Sequence, residues 1–324
     1  QEWARRALAR FLKSAETWCA EPVVHPDRGG GWYHWYACPK DGGSLQTVSP
    51  TQHRCKRCGE MYSGEPYDTV AIMSQHNGLG SRCRDIGLAY ALTGKVEFAR
   101  TARKILLGYA DRNNTYELHD TRGPSKRASA GRVGPQTLDE SCWLIPITQG
   151  YDPVYESDLF SDADRRHIEK DLLRSAAATI RRYDAGKSNW QSWHNAGMGA
   201  VAFCLRDREL AEHVVNGSSG FQFQMANSVT DEGFWYEGAW GYHYYALMAH
   251  LALTEIAFRS GTNLYANPRY KGLYDIPIRF MAPNRQLPAF HDSGLSSGLP
   301  GTTFLEVAFR HWQDANFAWG IHQR

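Results

Sequence analysis

Helical periodicity broken at short intervals is the feature that most constrains how this chain can fold. Apolar residues recur every three or four positions in a run that contains Ile86 and Leu92, and again in a run that contains Ile105 and Tyr109. Gly94 separates the two runs at a position where a C-cap glycine typically ends one helix before another begins. Similar segments continue along the chain, and alternating β-strand patterns are nearly absent. The sequence therefore predicts an all-α array of antiparallel helical hairpins.

The predicted elements divide the chain into three parts. A first amphipathic helix occupies 1–20, an irregular segment rich in Gly, Pro, His and Cys occupies 21–66, and the helical array occupies 67–324. Within the array, Ser161-Asp-Ala-Asp164 offers an N-cap and an acidic first turn for one helix, and Pro277 is expected to break another. The segments of the array that are predicted as helical are 69–93, 95–113, 137–153, 161–183, 189–205, 207–215, 221–229, 241–259, 265–281 and 303–317.

The connection 115–135 is long and rich in Gly and Ser. Connections of this length are binding loops, lids or disordered segments. Its basic residues can attract an anionic polymer, although solvated surface charge is the ordinary explanation for each of them. These residues are Arg122, Lys126, Arg127 and Arg132.

Charge and hydropathy exclude several classes of function. The formal net charge is +2 over 324 residues, so nothing in the overall charge indicates binding to nucleic acid or to a membrane surface. No apolar run approaches the roughly 20 residues that a membrane span requires. No signal peptide is recognised, and the chain begins directly in a helical pattern, as a mature or trimmed product would. We therefore expect a secreted or periplasmic protein.

The aromatic content is high, with 11 Trp and 17 Tyr. An aromatic face fits the C–H face of a pyranose, so some of these rings are candidate platforms for sugar stacking. Packing in the core is the ordinary explanation for each single ring.

Seven cysteines are present, and three of them differ from the rest. Cys19, Cys83, Cys142 and Cys204 stand singly in helical patterns, where a buried thiol is expected. Cys38, Cys55 and Cys58 lie instead in the irregular segment 21–66.

The spacing of these three cysteines is typical of a small structural zinc site. Cys55-Lys-Arg-Cys58-Gly forms a tight turn whose backbone amides point at thiolates, and Cys38 supplies a second knuckle. A fourth ligand is needed, for which we select His53, and no organic cofactor is expected. Two alternatives are a disulfide between two of the three thiols and free thiols. The other candidates for the fourth ligand are Asp41, His34 and His25.

Two segments begin with polar and aromatic residues and continue into helix-forming apolar sequence. The first is Ser188-Asn-Trp-Gln-Ser-Trp-His194-Asn195, and the second is Asp231-Glu-Gly-Phe-Trp-Tyr-Glu237-Gly-Ala-Trp-Gly-Tyr242-His-Tyr-Tyr. This arrangement predicts two helix starts that face one cleft.

These two motifs, the serial hairpins and a Tyr-Asp-Pro153 element after a Leu-Asp-Glu-Ser-Cys-Trp helix together resemble the heparinase II/III-like polysaccharide lyases. That group includes alginate, heparin and related uronate lyases, and the resemblance covers nearly the whole chain. It implies an incomplete (α/α) toroid, which in the family is normally followed by a β-sandwich portion. The β-sandwich is absent from this sequence, and since it usually supplies a catalytic histidine, one member of the site is expected to lie outside the chain.

The resemblance implies cleavage of an anionic, uronic-acid-containing polysaccharide by β-elimination. The site must neutralise the substrate carboxylate and stabilise an enolate-like intermediate. Asn189 and His194, with Asn195 beside them, are the candidates for this role, although a helix cap and a core histidine are the structural alternatives for the first two. The family places a general acid, and in some cases also the base, at the position of Tyr242, with Tyr244 as the second choice.

Further residues of the two motifs are candidates for substrate binding. Glu237 is expected to orient His194 or to hydrogen-bond sugar hydroxyls, and the structural alternative is a charge that favours a helix N-terminus. The full set of substrate-binding candidates is Asn195, Trp193, Glu237, Tyr244, His243 and His291.

Two other functions remain open at this point. A glycoside hydrolase on the same helical scaffold would use two carboxylates, for which Asp231, Glu232 and Glu237 are available. A non-catalytic glycan-binding protein would retain the cleft without chemistry. The sequence does not rank alginate, heparin, hyaluronan and chondroitin as substrates.

Overall fold

The computed structural model describes residues 2–294 and 298–323. The chain forms two compact units, Gln1–Tyr183 and Asp184–Arg324. Both are built mainly from helices, so the predicted all-α class is confirmed. The threefold division into 1–20, 21–66 and 67–324 stays a prediction.

The first unit is organised around one long helix, α2, which packs against its neighbours α1, α3 and α4. The predicted hairpin between α2 and α3 is present, and Gly94 has the left-handed backbone (φ 67°) that ends α2, with its N–H donating to the carbonyl of Tyr90. The helices of this unit are α1 (Glu2–Ala20), α2 (Tyr67–Thr93), α3 (Val96–Arg112), α4 (Thr137–Tyr151), α5 (Asp162–His167) and α6 (Ser175–Arg181).

The segment predicted as one helix over 161–183 is divided into three. A π-helical stretch, Ile168–Arg174, lies between α5 and α6. The predicted N-cap is present as a full capping box, in which Ser161 Oγ accepts a hydrogen bond from the Asp164 N–H at 3.1 Å. Asp164 also pairs with Arg103 of α3, which ties this capped end to the neighbouring helix.

The cysteine-containing segment is more ordered than its sequence predicts. It folds into a three-stranded antiparallel sheet, β1 (Leu45–Ser49), β2 (Gln52–Cys55) and β3 (Met61–Tyr62), preceded by a 3-10 turn at Tyr33–Trp35. These strands have two to five residues, too few for an alternating pattern to stand out in the sequence. In β2 the alternation is present, since His53 and Cys55 are buried and the residues between and before them are exposed.

The connection 115–135 is anchored rather than loose. It contains a small hairpin of β4 (His119–Asp120) and β5 (Gly123–Pro124). One carboxylate oxygen of Glu140, Oε2, accepts hydrogen bonds from the backbone N–H groups of residues 132, 133 and 134 at 3.1, 2.8 and 3.1 Å. A buried carboxylate that collects three amide donors fixes this part of the loop against the start of α4.

In the second unit α7 packs along α10 and against α8, and α12 packs against α13. Trp240, Ile276 and Leu287 form a buried cluster at the start of α10. The helices are α7 (Asn189–Cys204), α8 (Arg208–Asn216), α9 (Phe221–Asn227), α10 (Trp240–Arg259), α11 (Pro268–Phe280), α12 (Thr302–Trp312) and α13 (Ala315–His322), with 3-10 turns at Asp152–Val154 in the first unit and Leu264–Ala266 in the second.

Pro277 does not break its helix, contrary to the prediction. It lies inside α11, where a proline removes one N–H and leaves the carbonyl four residues earlier without its helical donor. That carbonyl belongs to Leu273, and it accepts a hydrogen bond from His243 Nε2 at 2.9 Å. A side chain of α10 thus replaces the donor that the proline removes.

Within the described residues, no helix combines the length and the apolar composition that crossing a membrane requires.

Candidate active site

The two motifs singled out in the sequence form the starts of α7 and α10, which pack along each other. Ser188 precedes α7 in extended conformation, and Asn189 is its first residue. The turn before α10 folds back on itself, since the Tyr236 N–H donates to the carbonyl of Ser228 and Val229 bridges to Trp235. This turn carries Glu237 toward the start of α7.

Glu237 and Asn189 are joined by three hydrogen bonds. Asn189 Nδ2 lies 2.9 Å from each carboxylate oxygen of Glu237, and the Asn189 backbone N–H donates to Oε2 at 3.2 Å. A carboxylate at the first turn of a helix also interacts favourably with the helix dipole. Glu237 therefore fixes the position of the Asn189 amide, whereas from the sequence we expected Glu237 to orient His194.

Tyr242 lies in the first turn of α10 and is 42% exposed. Its phenol is thus accessible to a ligand. Tyr244, the second choice from the sequence, points elsewhere, because its hydroxyl donates to the carbonyl of Gly298 at 2.9 Å. The difference follows from helical geometry, since residues two positions apart face different directions.

The remaining residues of the first motif are buried. His194 is fully buried and packs edge-on against Trp190, with ring centroids 6.3 Å apart. Trp193 lies against Tyr245 in the α7–α10 interface, at a centroid distance of 5.0 Å. Asn195 Nδ2 donates to the carbonyl of Ser219 at 2.8 Å, and its Oδ1 accepts from Gln191.

Two of the substrate-binding candidates selected from the sequence lie in the interior of the unit. Trp193 and Asn195 were expected to contact substrate, but both side chains are used in packing and hydrogen bonding inside the unit. Helical spacing explains the difference, because residues 193 and 195 lie more than one turn into α7, away from its exposed start. His194 is likewise an interior residue in this structure.

His243, another substrate-binding candidate, is also an interior residue with both ring nitrogens hydrogen-bonded. It is fully buried, its Nδ1 accepts a hydrogen bond from the Trp235 N–H at 3.2 Å, and its Nε2 donates to the carbonyl of Leu273. Burial lowers the pKa of His243 to about 4. The ring is therefore neutral at pH 7, as one accepting and one donating nitrogen require.

His291 is exposed and lies beside the same turn. Its backbone has a positive φ of 46°, and its ring packs so closely on Gly238 that a Cβ there would lie 2.4 Å from the imidazole Cδ2. The adjoining loop is held by Ser293 Oγ, which accepts a hydrogen bond from the Trp240 N–H at 2.8 Å. The structure thus joins Asn189 to Glu237 and places His291 against the next residue, Gly238, while Tyr242 lies in the first turn of α10.

Three residues at this site, Trp235, Lys187 and Tyr236, were not selected from the sequence. The indole N–H of Trp235 donates to Glu237 Oε2 at 2.6 Å, and Lys187 Nζ lies 4.4 Å from the centre of the Tyr236 ring. Trp235 stands two positions before Glu237, where the turn brings both side chains together. The indole N–H of a buried Trp needs a hydrogen-bond acceptor, and this requirement could have indicated from the sequence that Trp235 pairs with Glu237.

A separate group of four side chains in the first unit is suited to a metal ion. The ligand atoms of Cys38, Asp41, Cys55 and Cys58 all lie within 4.8 Å of one another. The Cys55 thiol accepts the backbone N–H groups of residues 57 and 58 at 3.3 and 3.4 Å, as expected for a Cys-x-x-Cys turn. Three sulfurs and one carboxylate oxygen provide four donors for a tetrahedral ion.

The fourth side chain of this group is Asp41, and His53, the ligand selected from the sequence, lies outside it. Both nitrogens of His53 are engaged elsewhere, Nδ1 with the Tyr36 hydroxyl at 2.6 Å and Nε2 with Asp68 Oδ1 at 2.9 Å. The Tyr36 hydroxyl and the Asp68 carboxylate thus hold the His53 ring outside the group. Asp41, one of the alternatives considered from the sequence, lies in the knuckle that follows Cys38. The other two alternatives, His34 and His25, are not in the group.

The electrostatics of this group favour bound cations. The Gly43 N–H donates to Asp41 Oδ1 at 2.8 Å and lowers the pKa of Asp41 to about 2. The Cys58 N–H similarly lowers the pKa of the Cys55 thiol. Burial and the neighbouring thiols and carboxylate raise the pKa of the Cys58 thiol to about 11, so an ion that binds here would displace the Cys58 proton.

Comparison with known proteins identifies the family. The model of the alginate lyase family matches residues 36–286. An alginate lyase of Stenotrophomonas maltophilia is 34% identical over 177 residues, which are 51% of this chain and 22% of that protein. An exo-oligoalginate lyase of Saccharophagus degradans is 27% identical over 183 residues, which are 54% of this chain and 24% of that protein. The matched part of the chain is thus about a quarter of the length of these relatives.

The fold is shared with solved alginate lyases. An alginate lyase from Bacteroides ovatus superposes with a TM-score of 0.66 at 12% identity, covering 98% of this chain and 89% of that one. At this identity the likeness shows the fold alone, and the predicted all-α, toroid-type class is confirmed. Because the family model takes in most of the sequence, including both motifs of the site, the chain belongs to the alginate lyase family.

Proposed function

We propose that this chain is the helical part of a polysaccharide lyase that cleaves alginate, or a related uronic-acid polymer, by β-elimination. The observation that carries the proposal is the Glu237–Asn189 pair, which holds an amide donor at the start of α7 beside a helix that presents Tyr242 to solvent. A fixed amide and an accessible phenol are the two kinds of group that this elimination needs.

The amide serves the substrate carboxylate. Removal of the C5 proton of a uronate places negative charge on the adjacent carboxylate, and donors already in place stabilise that charge without reorganisation. Asn189 Nδ2 is equidistant from both oxygens of Glu237, so one of its N–H groups can serve both and the other remains for the substrate.

The phenol moves the proton. Tyr242 is assigned as the general acid that protonates the leaving C4 oxygen and, in a syn elimination, as the base that removes the C5 proton first. His194 belongs to the proposal as the buried residue that supports the start of α7 from within, and no substrate contact is assigned to it. Glu237 and His291 are assigned to the substrate side of the turn.

The choice of alginate rests on the relatives. The two curated proteins are named for alginate and oligoalginate, and a solved alginate lyase with a TM-score of 0.54 was captured with a tetrasaccharide. We also propose that the chain belongs to the heparinase II/III-like group of lyases, in which a β-sandwich portion supplies a further histidine. It is supported by the two sequence motifs and by the greater length of the curated relatives.

We further propose zinc as the ion of the group formed by Cys38, Asp41, Cys55 and Cys58. Sulfur ligands favour zinc over calcium or magnesium, and four donors without an open position are typical of a structural rather than a catalytic ion. We also propose a secreted or periplasmic location, supported by a polymeric substrate that cannot reach the cell interior intact.

A digestion assay tests the proposed activity. The full-length protein is incubated separately with alginate, heparin, hyaluronan and chondroitin, and ultraviolet absorbance of the conjugated C4–C5 double bond is followed. We expect the absorbance to rise with alginate. An absence of absorbance with all four polymers, from a protein with a cooperative melting transition, contradicts the proposal.

A further inference from the structure

The first unit contains a groove that none of the candidate active-site residues lines. Its volume is about 310 Å³, within the range of roughly 300–1,000 Å³ that is typical of small-ligand pockets. One wall is formed by Trp32 and Trp35, the floor by Glu65 and Thr69 at the start of α2, and the other wall by the β4–β5 hairpin with Arg122 at its tip. We refer to it as the tryptophan groove.

The two indoles are placed for contact with a ligand rather than for core packing. Trp35 is 44% exposed, whereas Trp143, Trp235 and Trp240 are almost completely buried in the core. The Trp35 N–H donates to the carbonyl of Thr121 at 3.2 Å, so the ring is fixed across the groove. Trp32 stands edge-on to it, with ring centroids 5.3 Å apart. An exposed aromatic face that is held in position can stack on a sugar ring.

The backbone that carries these rings is closely held. A Cβ on Gly30 would lie 2.4 Å from Met73, and a Cβ on Gly31 would lie 2.6 Å from Thr69 Oγ1. The Gly31 N–H donates to the carbonyl of Thr69 at 2.7 Å, and His119 Nε2 donates to the carbonyl of Gly30 at 2.8 Å. The same histidine therefore links the tryptophan wall to the hairpin wall.

The charges around the groove leave one cation available. Glu65 is paired with Arg28 and accepts from Thr69, and the Asp120 carboxylate accepts the Arg122 backbone N–H at 2.9 Å. The Arg122 guanidinium is exposed; among the described residues it is attracted to the Asp120 carboxylate but makes no hydrogen bond and no close ion pair. Its N–H donors therefore remain available to a substrate carboxylate, for which their planar geometry is suited.

The hairpin that carries Arg122 is anchored at its base. Glu140 binds three successive backbone amides of the connection, and the Arg132 guanidinium donates to the carbonyl of Tyr116 at 2.7 Å. A rigid support of this kind holds a binding residue in place before the ligand arrives, which reduces the entropy cost of binding.

From these observations we propose that the tryptophan groove is a subsite for one uronate residue of the polymer, in which Trp35 stacks on the sugar ring and Arg122 pairs with its carboxylate. The inference rests on the proposed lyase function for the identity of the sugar. It adds a binding site outside the α7–α10 motifs.

Equilibrium binding tests the subsite without turnover. Titration calorimetry measures the affinity of an alginate tetrasaccharide for the Tyr242→Phe protein, which serves as the parent. The same measurement is made on the parent carrying Trp35→Ala, Arg122→Ala or Arg122→Lys. We expect Trp35→Ala and Arg122→Ala each to weaken binding about tenfold, and Arg122→Lys to weaken it less. The loss in Arg122→Ala should be smaller at high salt, since it removes a charge pair.

Two control variants match the exposure of the tested residues. Trp319→Ala removes an indole that is 43% exposed on α13, and Arg100→Ala removes an exposed arginine of α3. Both should bind within about twofold of the parent. Unchanged binding in Trp35→Ala and Arg122→Ala overturns the subsite, and so does an equal loss in the two controls.

The subsite and the proposed function fail in different ways. If the tetrasaccharide binds in a Trp35-dependent manner but the wild-type protein produces no ultraviolet absorbance, the lyase proposal fails and the subsite stands. If wild-type activity is present but Trp35→Ala and Arg122→Ala change neither tetrasaccharide binding nor the KM for alginate, the subsite fails alone. A neutral glucose tetrasaccharide that binds the parent as tightly as the uronate one contradicts the role of Arg122.

Discussion

Both carboxylate oxygens of Glu237 lie 2.9 Å from the side-chain nitrogen of Asn189, so the turn before one helix fixes the first residue of another. Replacing Glu237 by Gln puts an N–H group where an acceptor is needed and leaves the Asn189 amide and the Trp235 indole without full partners. We expect Glu237→Gln to lower kcat about 10- to 100-fold and stability by about 1–3 kcal/mol. Steady-state kinetics on alginate and thermal melting measure the two effects.

Glu232 offers a matched control for this substitution. It lies in the same turn and is exposed, so Glu232→Gln should leave both kcat and the melting temperature nearly unchanged. Equal kinetics in Glu237→Gln and the wild type would show that the pair with Asn189 does not contribute to the reaction.

Tyr242→Phe removes only the phenol oxygen of an exposed side chain. Because that oxygen is assigned to proton transfer, we expect kcat to fall by about 10²- to 10⁴-fold. The melting temperature should not change, since the ring is 42% exposed and keeps its packing. Initial rates of ultraviolet absorbance and differential scanning calorimetry provide the two measurements.

Tyr236→Phe is the control for Tyr242→Phe. Tyr236 lies in the preceding turn and is 37% exposed, so the two substitutions remove the same atom from similar surroundings. Loss of activity in both variants, or in neither, would argue against a specific role for the Tyr242 hydroxyl.

The cysteine group should bind one zinc ion per chain, as measured by elemental analysis of protein purified without added metal. We expect Asp41→Ala and Cys55→Ser to lose the ion, because each removes one of four donors that lie within 4.8 Å of one another. We expect His53→Gln to retain it, since His53 bonds to Tyr36 and Asp68 instead.

Cys19→Ser should keep the full zinc content, since this thiol lies outside the group. Zinc loss in His53→Gln equal to that in Cys55→Ser would return His53 to the ligand set.

Asp139→Asn should change how stability depends on pH. Asp139 Oδ2 is screened from solvent and has no hydrogen-bond partner among the described residues, and burial raises the pKa of this carboxyl from 3.8 to about 7. Below pH 3.8 the Asp139 carboxyl is neutral in both the folded and the unfolded protein. Between pH 3.8 and about 7 this carboxyl ionises readily only in the unfolded protein, so the free energy of unfolding falls as pH rises. We expect the variant to be more stable than the wild type by about 1–4 kcal/mol at pH 8 and similar to it near pH 4.

Urea unfolding at pH 4, 6 and 8 follows this difference, with Asp158→Asn as an exposed control. A gap between wild type and Asp139→Asn that is the same at pH 4 and pH 8 would contradict the assigned cause, as would an equal trend in the control.

Local signals in the sequence predicted those parts of the fold that depend on neighbouring residues. Gly94 ends α2, and Ser161 with Asp164 caps α5, because both features are set by a few consecutive positions. Tyr242 was placed correctly at the start of α10 for the same reason. Short strands around His53 were missed, since their pairing is decided across the sheet.

Long-range contacts determine the side-chain positions that the sequence did not predict. Asp41 joins the cysteine group because a turn brings it to the thiols, and its spacing in the sequence did not separate it from His53. His243 stands beside Tyr242 in a motif rich in polar residues, yet it is buried and donates to the Leu273 carbonyl that Pro277 leaves without a helical donor. These partners are 14 residues apart for Asp41 and Cys55 and 30 residues apart for His243 and Leu273, at positions that no local pattern specifies.

The most direct test of the account is a comparison, in one alginate digest, of ultraviolet absorbance with the number of new reducing ends. β-Elimination creates one unsaturated uronate for every bond that it breaks, so we predict that the two signals rise in a one-to-one ratio and that Tyr242→Phe suppresses both. Reducing ends that increase without absorbance would contradict the account and indicate hydrolysis by two carboxylates.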